Sequence, residues 1–137
     1  MAKLTPVQNK TIEEFWSGLD ELRKQLKFRE WELLNPHQEH VMVGSRSGKV
    51  SDTTGNRAML LAVDKNYKHL QNIVSSIEKV YSALDDDMQT IVNMRYWDKE
   101  GVFEWEDIAD KLYISRSKVL RKRNLLIDKT AERLGWM

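Results

Sequence analysis

WEDIADKLYISRSKVLRKRNLLIDKTAERL, residues 105–134, decides how the rest of this chain is read. It opens on a short acidic segment, with Glu106, Asp107 and Asp110, that carries Ile108, Ala109 and Leu112 at helical spacing. A tight turn, Tyr113-Ile114-Ser115, follows. Beyond it come Arg116, Lys118, Arg121, Lys122 and Arg123, with no acidic residue before Asp128. An acidic helix, a turn and a basic helix are what a helix-turn-helix needs to lay its second helix in the major groove of double-stranded DNA. The recognition helix is expected over about 115–134.

The residue types fit the mechanics. Ala109 is expected where the two helices cross, because only a small side chain allows close approach. Ile108, Leu112, Ile114 and Val119 are expected to fix the angle between them. The Ser115 hydroxyl is placed to accept a bond from the backbone N–H of Ser117 or Lys118 and so cap the second helix. The positive end of that helix would then point at a phosphate. Arg116, Ser117, Lys118, Leu120 and Arg121 are expected to face DNA, with Lys122 and Arg123 nearby. Ser117, Lys118 and Arg121 suit base edges, whereas Arg116, Lys122 and Arg123 suit phosphates.

Charge is distributed to match. The whole chain carries a net charge of +1. Residues 85–110 hold nine acids against Arg95 and Lys99, and residues 115–137 hold seven bases against Asp128 and Glu132. One face can therefore meet phosphates while its neighbour repels them.

Upstream, Asp85-Asp86-Asp87 reads as a helix start, since aspartate caps helices and suits the positive end of the dipole. The helix it opens carries Ile91, Val92, Met94, Arg95, Tyr96 and Trp97 and stops before Gly101. Further upstream, Thr5-Pro6-Val7-Gln8 has the pattern of a capping box with proline at the first helical position. Ile12, Phe15, Leu19, Leu22, Leu26 and Leu33 then form a stripe broken by Arg29, which predicts a helix of about 28 residues ending at Asn35-Pro36. A second stripe, Val63, Asn66, Leu70, Ile73, Ile77, Val80 and Leu84, predicts a helix starting near Thr53 to Gly55. Asn66 suits either a register-fixing core slot or a solvated place near a frayed end.

Residues 35–55, rich in glycine and small polar residues, read as a mobile or functional loop, with Val41-Met42-Val43 as a short extended piece. The expected fold is all-α. A long N-terminal helical hairpin with coiled-coil patterning spans 1–84, and a helix-turn-helix domain spans 85–137. The hairpin suits homodimerisation or contact with a partner protein.

Several classes are disfavoured. The chain has no cysteine, so disulfides, thiolate metal sites and cysteine nucleophiles are excluded. No run of about 18 apolar residues suits a membrane span, and MAKLTPVQNK lacks the apolar region of a secretory signal. A cytoplasmic address fits. His37, His40 and His69 lack a fourth ligand at metal spacing, and Gly44-Ser45-Arg46-Ser47-Gly48-Lys49 lacks the GxxxxGK spacing of a phosphate loop. No acid, base and nucleophile form a coherent set, so neither enzymatic activity, cofactor nor metal is expected. Trp97 and Trp105 are expected to pin the linker before the helix-turn-helix, and Trp136 to fold back on the last helix.

The stretch LDDDMQTIVNMRYWDKEGVFEWEDIADKLYISRSKVLRKRNLLIDKTAERL, 84–134, resembles region four of bacterial sigma factors through Arg95-Tyr96, Ile108-Ala109, Leu112, Ile114-Ser115-Arg116 and Val119. Tyr113 departs from that pattern where glycine is frequent, and Lys122 departs where isoleucine is usual. Which of Leu120, Lys122 and Arg123 faces DNA is therefore open. Over most of its length, with VSDTTGNRAM between two helical segments and Ala-Glu-Arg-Leu-Gly at the end, the chain resembles the RinA/ArpU-type phage transcriptional regulators. That resemblance implies activation of phage late genes from a promoter-proximal site. A small terminase-like subunit that packages DNA, or a sigma-like factor contacting host RNA polymerase, is the alternative.

Overall fold

The computed structural model describes residues 3–35 and 53–137, and all regular structure among them is helical. The fold is all-α. In chain order the described helices are α1 (Pro6–Ser17), α2 (Leu19–Leu34), α3 (Thr53–Val63), α4 (Lys65–Ala83), α5 (Asp86–Arg95), α6 (Trp105–Leu112) and α7 (Arg116–Leu134). The expected loop lies, for residues 36–52, outside the described residues, and so do His37, His40, the extended piece at 41–43 and the glycine-rich stretch at 44–49.

Two starts follow the sequence. Gln8 N donates to Thr5 Oγ1 at 3.1 Å and Thr5 N donates to Gln8 Oε1 at 2.8 Å, a closed capping box with Pro6 behind it. Asp85 accepts from Met88 N at 2.8 Å, and Asp86 and Asp87 occupy the first turn of α5. The aspartate triplet is a helix start.

Both long helices expected from the stripes are broken. At Gly18 the first stops: its N–H donates to Glu14 O at 2.9 Å, and a Cβ there would stand 3.2 Å from that oxygen. Leu19 then begins α2, so the stripe of 6–34 is shared by two helices. The second break falls at Asp64. Its carboxylate accepts from Tyr67 N at 2.7 Å and so caps α4, a local bond that competes with continuing α3. On either side of this break the stripe is not core, since Val63 is 69% exposed and Asn66 is exposed. From Leu70 onward, Leu70, Ile73, Ile77, Val80 and Leu84 are buried as the spacing predicts.

The chain forms two compact units, residues 1–19 with 73–137 and residues 20–72. They do not divide after Leu84 as the hairpin reading expects. The physical reason is Trp16. It is fully buried, its Nε1 donates to Thr130 Oγ1 of α7 at 3.1 Å, and its carbonyl accepts from Trp97 Nε1 at 2.8 Å. The Trp97 ring lies 5.8 Å from that of Trp16 and 4.6 Å from that of Tyr81. Helix α1 is thus part of the helix-turn-helix unit, and α4 joins it from Ile73 onward.

The other unit contains α2, α3 and the first turns of α4. Arg29 grips Asp64 with two bonds, Nε to Oδ2 at 3.1 Å and Nη2 to Oδ1 at 2.7 Å. The residue that interrupts the apolar stripe of α2 therefore anchors the cap of α4. This pairing holds the Asp64 carboxyl below its ordinary range, aided by the Tyr67 N–H. Phe28 and Trp31 stack at 6.1 Å yet stay more than half exposed, as do Met59 and Val63.

Candidate nucleic-acid interface

The turn between α6 and α7 sets their geometry. Tyr113 closes α6 in the left-handed region (φ 59°, ψ 41°), the one described non-glycine residue at positive φ. A non-glycine residue in that region is strained, which is why glycine is common at such a corner. Its ring is 93% exposed, so nothing in the unit offsets that strain by packing. Ile114 N then bonds to Ala109 O at 3.1 Å, and Ser115 Oγ accepts from Lys118 N at 3.1 Å to start α7. Of the two expected capping partners, Lys118 is the one used.

Ile108 and Val119 are fully buried and Ala109 nearly so. With Ile91 they form a cluster on which Met94, Trp105, Leu112 and Ile114 pack. The five apolar residues expected to fix the two helices do meet, and α5 supplies the third side through Ile91. At the far end Gly135 takes a left-handed conformation, Trp136 N bonds to Ala131 O at 2.9 Å, and the Trp136 ring meets Phe15 edge-on at 6.1 Å.

Rotation of α7 is fixed by its buried residues. Val119, Leu126, Ile127, Thr130 and Ala131 face inward. Arg116, Ser117, Lys118 and Arg121 are exposed, and so are Asn124 and Leu125 one turn further on. Leu120 and Lys122 lie half-buried on opposite flanks of that face. The acids of α6, Glu106, Asp107 and Asp110, are exposed as well.

Arg123 stands apart from the other bases. It lies four residues after Val119 and four before Ile127, on the inward side. Its Nη1 meets Glu13 Oε1 of α1 at 3.5 Å, its guanidinium stands 5.5 Å from the centre of the Trp105 ring, and its Nε is buried without a hydrogen-bond partner. Arg95 approaches the same ring at 4.4 Å and donates to Phe103 O at 2.9 Å. Arg123, expected to suit a phosphate, thus turns towards Glu13 and Trp105 and away from the exposed face of α7. Glu13 also accepts from the Tyr96 hydroxyl at 2.6 Å, and burial with that carboxylate pushes the Tyr96 phenol well above its ordinary value. The signal was available as the spacing of Val119, Arg123 and Ile127. Asn124 and Leu125, which the sequence reading passed over, were equally accessible as neighbours of Arg121 at three and four residues.

Among the described residues no group of three or more histidines, cysteines or acids could hold a metal, and no helix is long and apolar enough to cross a membrane. A model of the family described as protein of unknown function (DUF722) matches residues 9–132. The chain belongs to the DUF722 family. No curated protein and no solved structure matches it. The match begins inside α1 and runs to the last turn of α7, so the DUF722 unit includes the helix that Trp16 ties to the helix-turn-helix.

Proposed function

We propose that this DUF722 protein is a sequence-specific double-stranded-DNA-binding regulator of transcription, with the N-terminal half of α7 in the major groove. The observation that carries the reading is the exposed face of Ser117, Lys118, Arg121, Asn124 and Leu125 on a helix capped by Ser115 and propped by buried Ile108, Ala109 and Val119. Arginine and asparagine are side chains that read guanine and adenine bidentately, and a leucine can meet a thymine methyl. Arg116, at the first turn, suits a phosphate. Leu120 and Lys122 flank the groove walls.

The resemblance to RinA/ArpU-type regulators supports activation of phage late genes in the cytoplasm of a bacterial host, with host RNA polymerase as a partner. The unit of residues 20–72 supports self-association. Phe28 and Trp31 on α2 and Met59, Leu60 and Val63 on α3 are large apolar side chains left exposed, as at surfaces that meet a partner. A second copy of the chain is the occupant proposed, since paired half-sites require paired readers. The same surface would serve a ring-forming packaging subunit.

Selection of bound sequences from random duplex DNA, with mass measured in the same buffer, tests the reading. A defined, repeated half-site bound by a dimer is the expected result. A ring with no sequence preference would replace the regulator by the packaging subunit, and absence of duplex binding would remove both.

A further inference from the structure

Beyond Leu125 the solvent side of α7 divides into two columns of opposite charge. Asp128 and Glu132 are four residues apart on one, and Lys129 and Arg133 are four apart on the other. The basic column continues backwards to Lys122 and Lys118 at spacings of seven and four, so one edge of α7 is basic from its first turn to its last. Its far end borders a cleft of about 300 Å3 between α7 and α4, lined by Lys129, Glu132, Arg133, Lys79, Val80 and Ala83. Lys79, Lys129 and Arg133 are all exposed. Val80 and Ala83 supply the apolar lining of the cleft.

Length makes this edge informative. The 19 residues of α7 extend about 28 Å, whereas the major groove of B-form DNA is roughly 12 Å wide. If the first turns sit in the groove, the last turns must pass out of it and over the sugar–phosphate chain. The acidic column repels that chain and brings Glu132 to the cleft, but Lys79, Lys129 and Arg133 outnumber that carboxylate there and attract the chain. We infer that Lys79, Lys129 and Arg133 form a second phosphate-binding surface, on which the DNA backbone flanking the recognition site rests in the cleft between α4 and α7. This inference rests on the DNA-binding reading above. It adds that α4 contacts DNA, that the contact carries no sequence information, and that the backbone leaves α7 on its α4 side.

Salt dependence tests it. Each phosphate neutralised contributes about 0.9 to the slope of log affinity against log salt. The full chain and its K79Q/K129Q/R133Q variant are titrated with the selected duplex and with a random-sequence duplex between about 50 and 200 mM salt. The variant should show a slope shallower by about two to three on both duplexes, with an unchanged ratio of affinities between them. Helical content and melting temperature should match the parent, because all three side chains are exposed. Retained binding with an unchanged slope overturns the second surface alone, and so does a lost preference for the selected duplex. Failure of the parent to bind any duplex overturns this surface together with the proposed function.

Discussion

Tyr96 donates its hydroxyl proton to Glu13 across 83 residues of chain, at 2.6 Å, and the same carboxylate receives Arg123 at 3.5 Å. One acidic side chain of α1 thereby joins the end of α5 to α7. Together with buried Trp16 it makes the first helix a structural part of the helix-turn-helix unit. A helix-turn-helix of three short helices buries little apolar surface of its own, and small domains are correspondingly marginal. Here α1 and the lower part of α4 supply the missing cover.

Removing that cover should be costly. Trp16→Ala leaves a large cavity and strands the Thr130 hydroxyl on its remaining bond to Leu126 O, so a loss of about 3–5 kcal/mol is expected. A chain that starts at residue 85 should fail to show a cooperative thermal transition, whereas a full-length Lys10→Ala control, altered at an exposed position of α1, should melt like the parent. A fragment of residues 85–137 that melts as cooperatively as the parent would show that α1 is dispensable.

Alkaline pH should loosen the same joint. The Tyr96 phenol ordinarily titrates near 10 and is raised in the folded chain by burial and by Glu13. A raised folded value means that the unfolded chain loses the proton first, so the stability is complete below about pH 10 and declines as pH rises through the folded value. Melting temperature should therefore fall above pH 10, and Tyr96→Phe should flatten part of that fall while lowering stability at neutral pH by about 1 kcal/mol. An identical alkaline slope in both proteins would exclude Tyr96 as its source.

In the second unit the sign reverses. Asp64 is held below its ordinary value by Arg29 and the Tyr67 N–H, so its contribution is present above about pH 4 and lost as pH falls through the folded value. Arg29→Met should remove much of the acid dependence of this unit, read as the change of helical signal between pH 5 and pH 2 (roughly the range in which such carboxylates titrate).

The turn gives a stabilising change. Tyr113 occupies a left-handed conformation without packing, and a single non-glycine residue there costs about 1–2 kcal/mol. Tyr113→Gly should raise stability by somewhat less than that, because glycine also gains freedom in the unfolded chain. Denaturant midpoints compare the two directly, and a lower midpoint in the glycine variant would contradict the strain.

Much of this was legible in the sequence because it is local. The capping box at Thr5, the aspartate start of α5, the Ser115 cap and the burial of Ile108, Ala109 and Val119 all follow from residues a few positions apart. The breaks at Gly18 and Asp64 were not read because an apolar stripe continues across each. Gly18 costs a helix only about 1 kcal/mol, and the Asp64 carboxylate that caps the next helix is held in place by Arg29 from a distant segment. The unit boundary was missed for the same reason. Nothing near Trp16 announces Thr130, Tyr81 or Trp97, which lie 114, 65 and 81 positions away. The inward turn of Arg123 was different. Its spacing from Val119 and Ile127 showed it, but the departure at Lys122 left open which of Leu120, Lys122 and Arg123 turns outward.

Arg121 and Arg123 should therefore part company when each is replaced by alanine. Arg121 is exposed on the face of Ser117 and Leu125, so its loss should cost about 1–3 kcal/mol of binding to a selected site and relax preference at one base pair, with melting unchanged. Arg123 spans Glu13 and Trp105, so its loss should cost about 1–3 kcal/mol of stability by leaving a partly buried carboxylate with Tyr96 alone. Its binding per folded molecule, and the base preference of that binding, should stay near the parent value. Lys122→Ala, on the flank, should weaken all sequences alike. Should Arg123→Ala instead relax base preference while melting like the parent, the rotation of α7 about its axis would have to be redrawn with Arg123 in the groove.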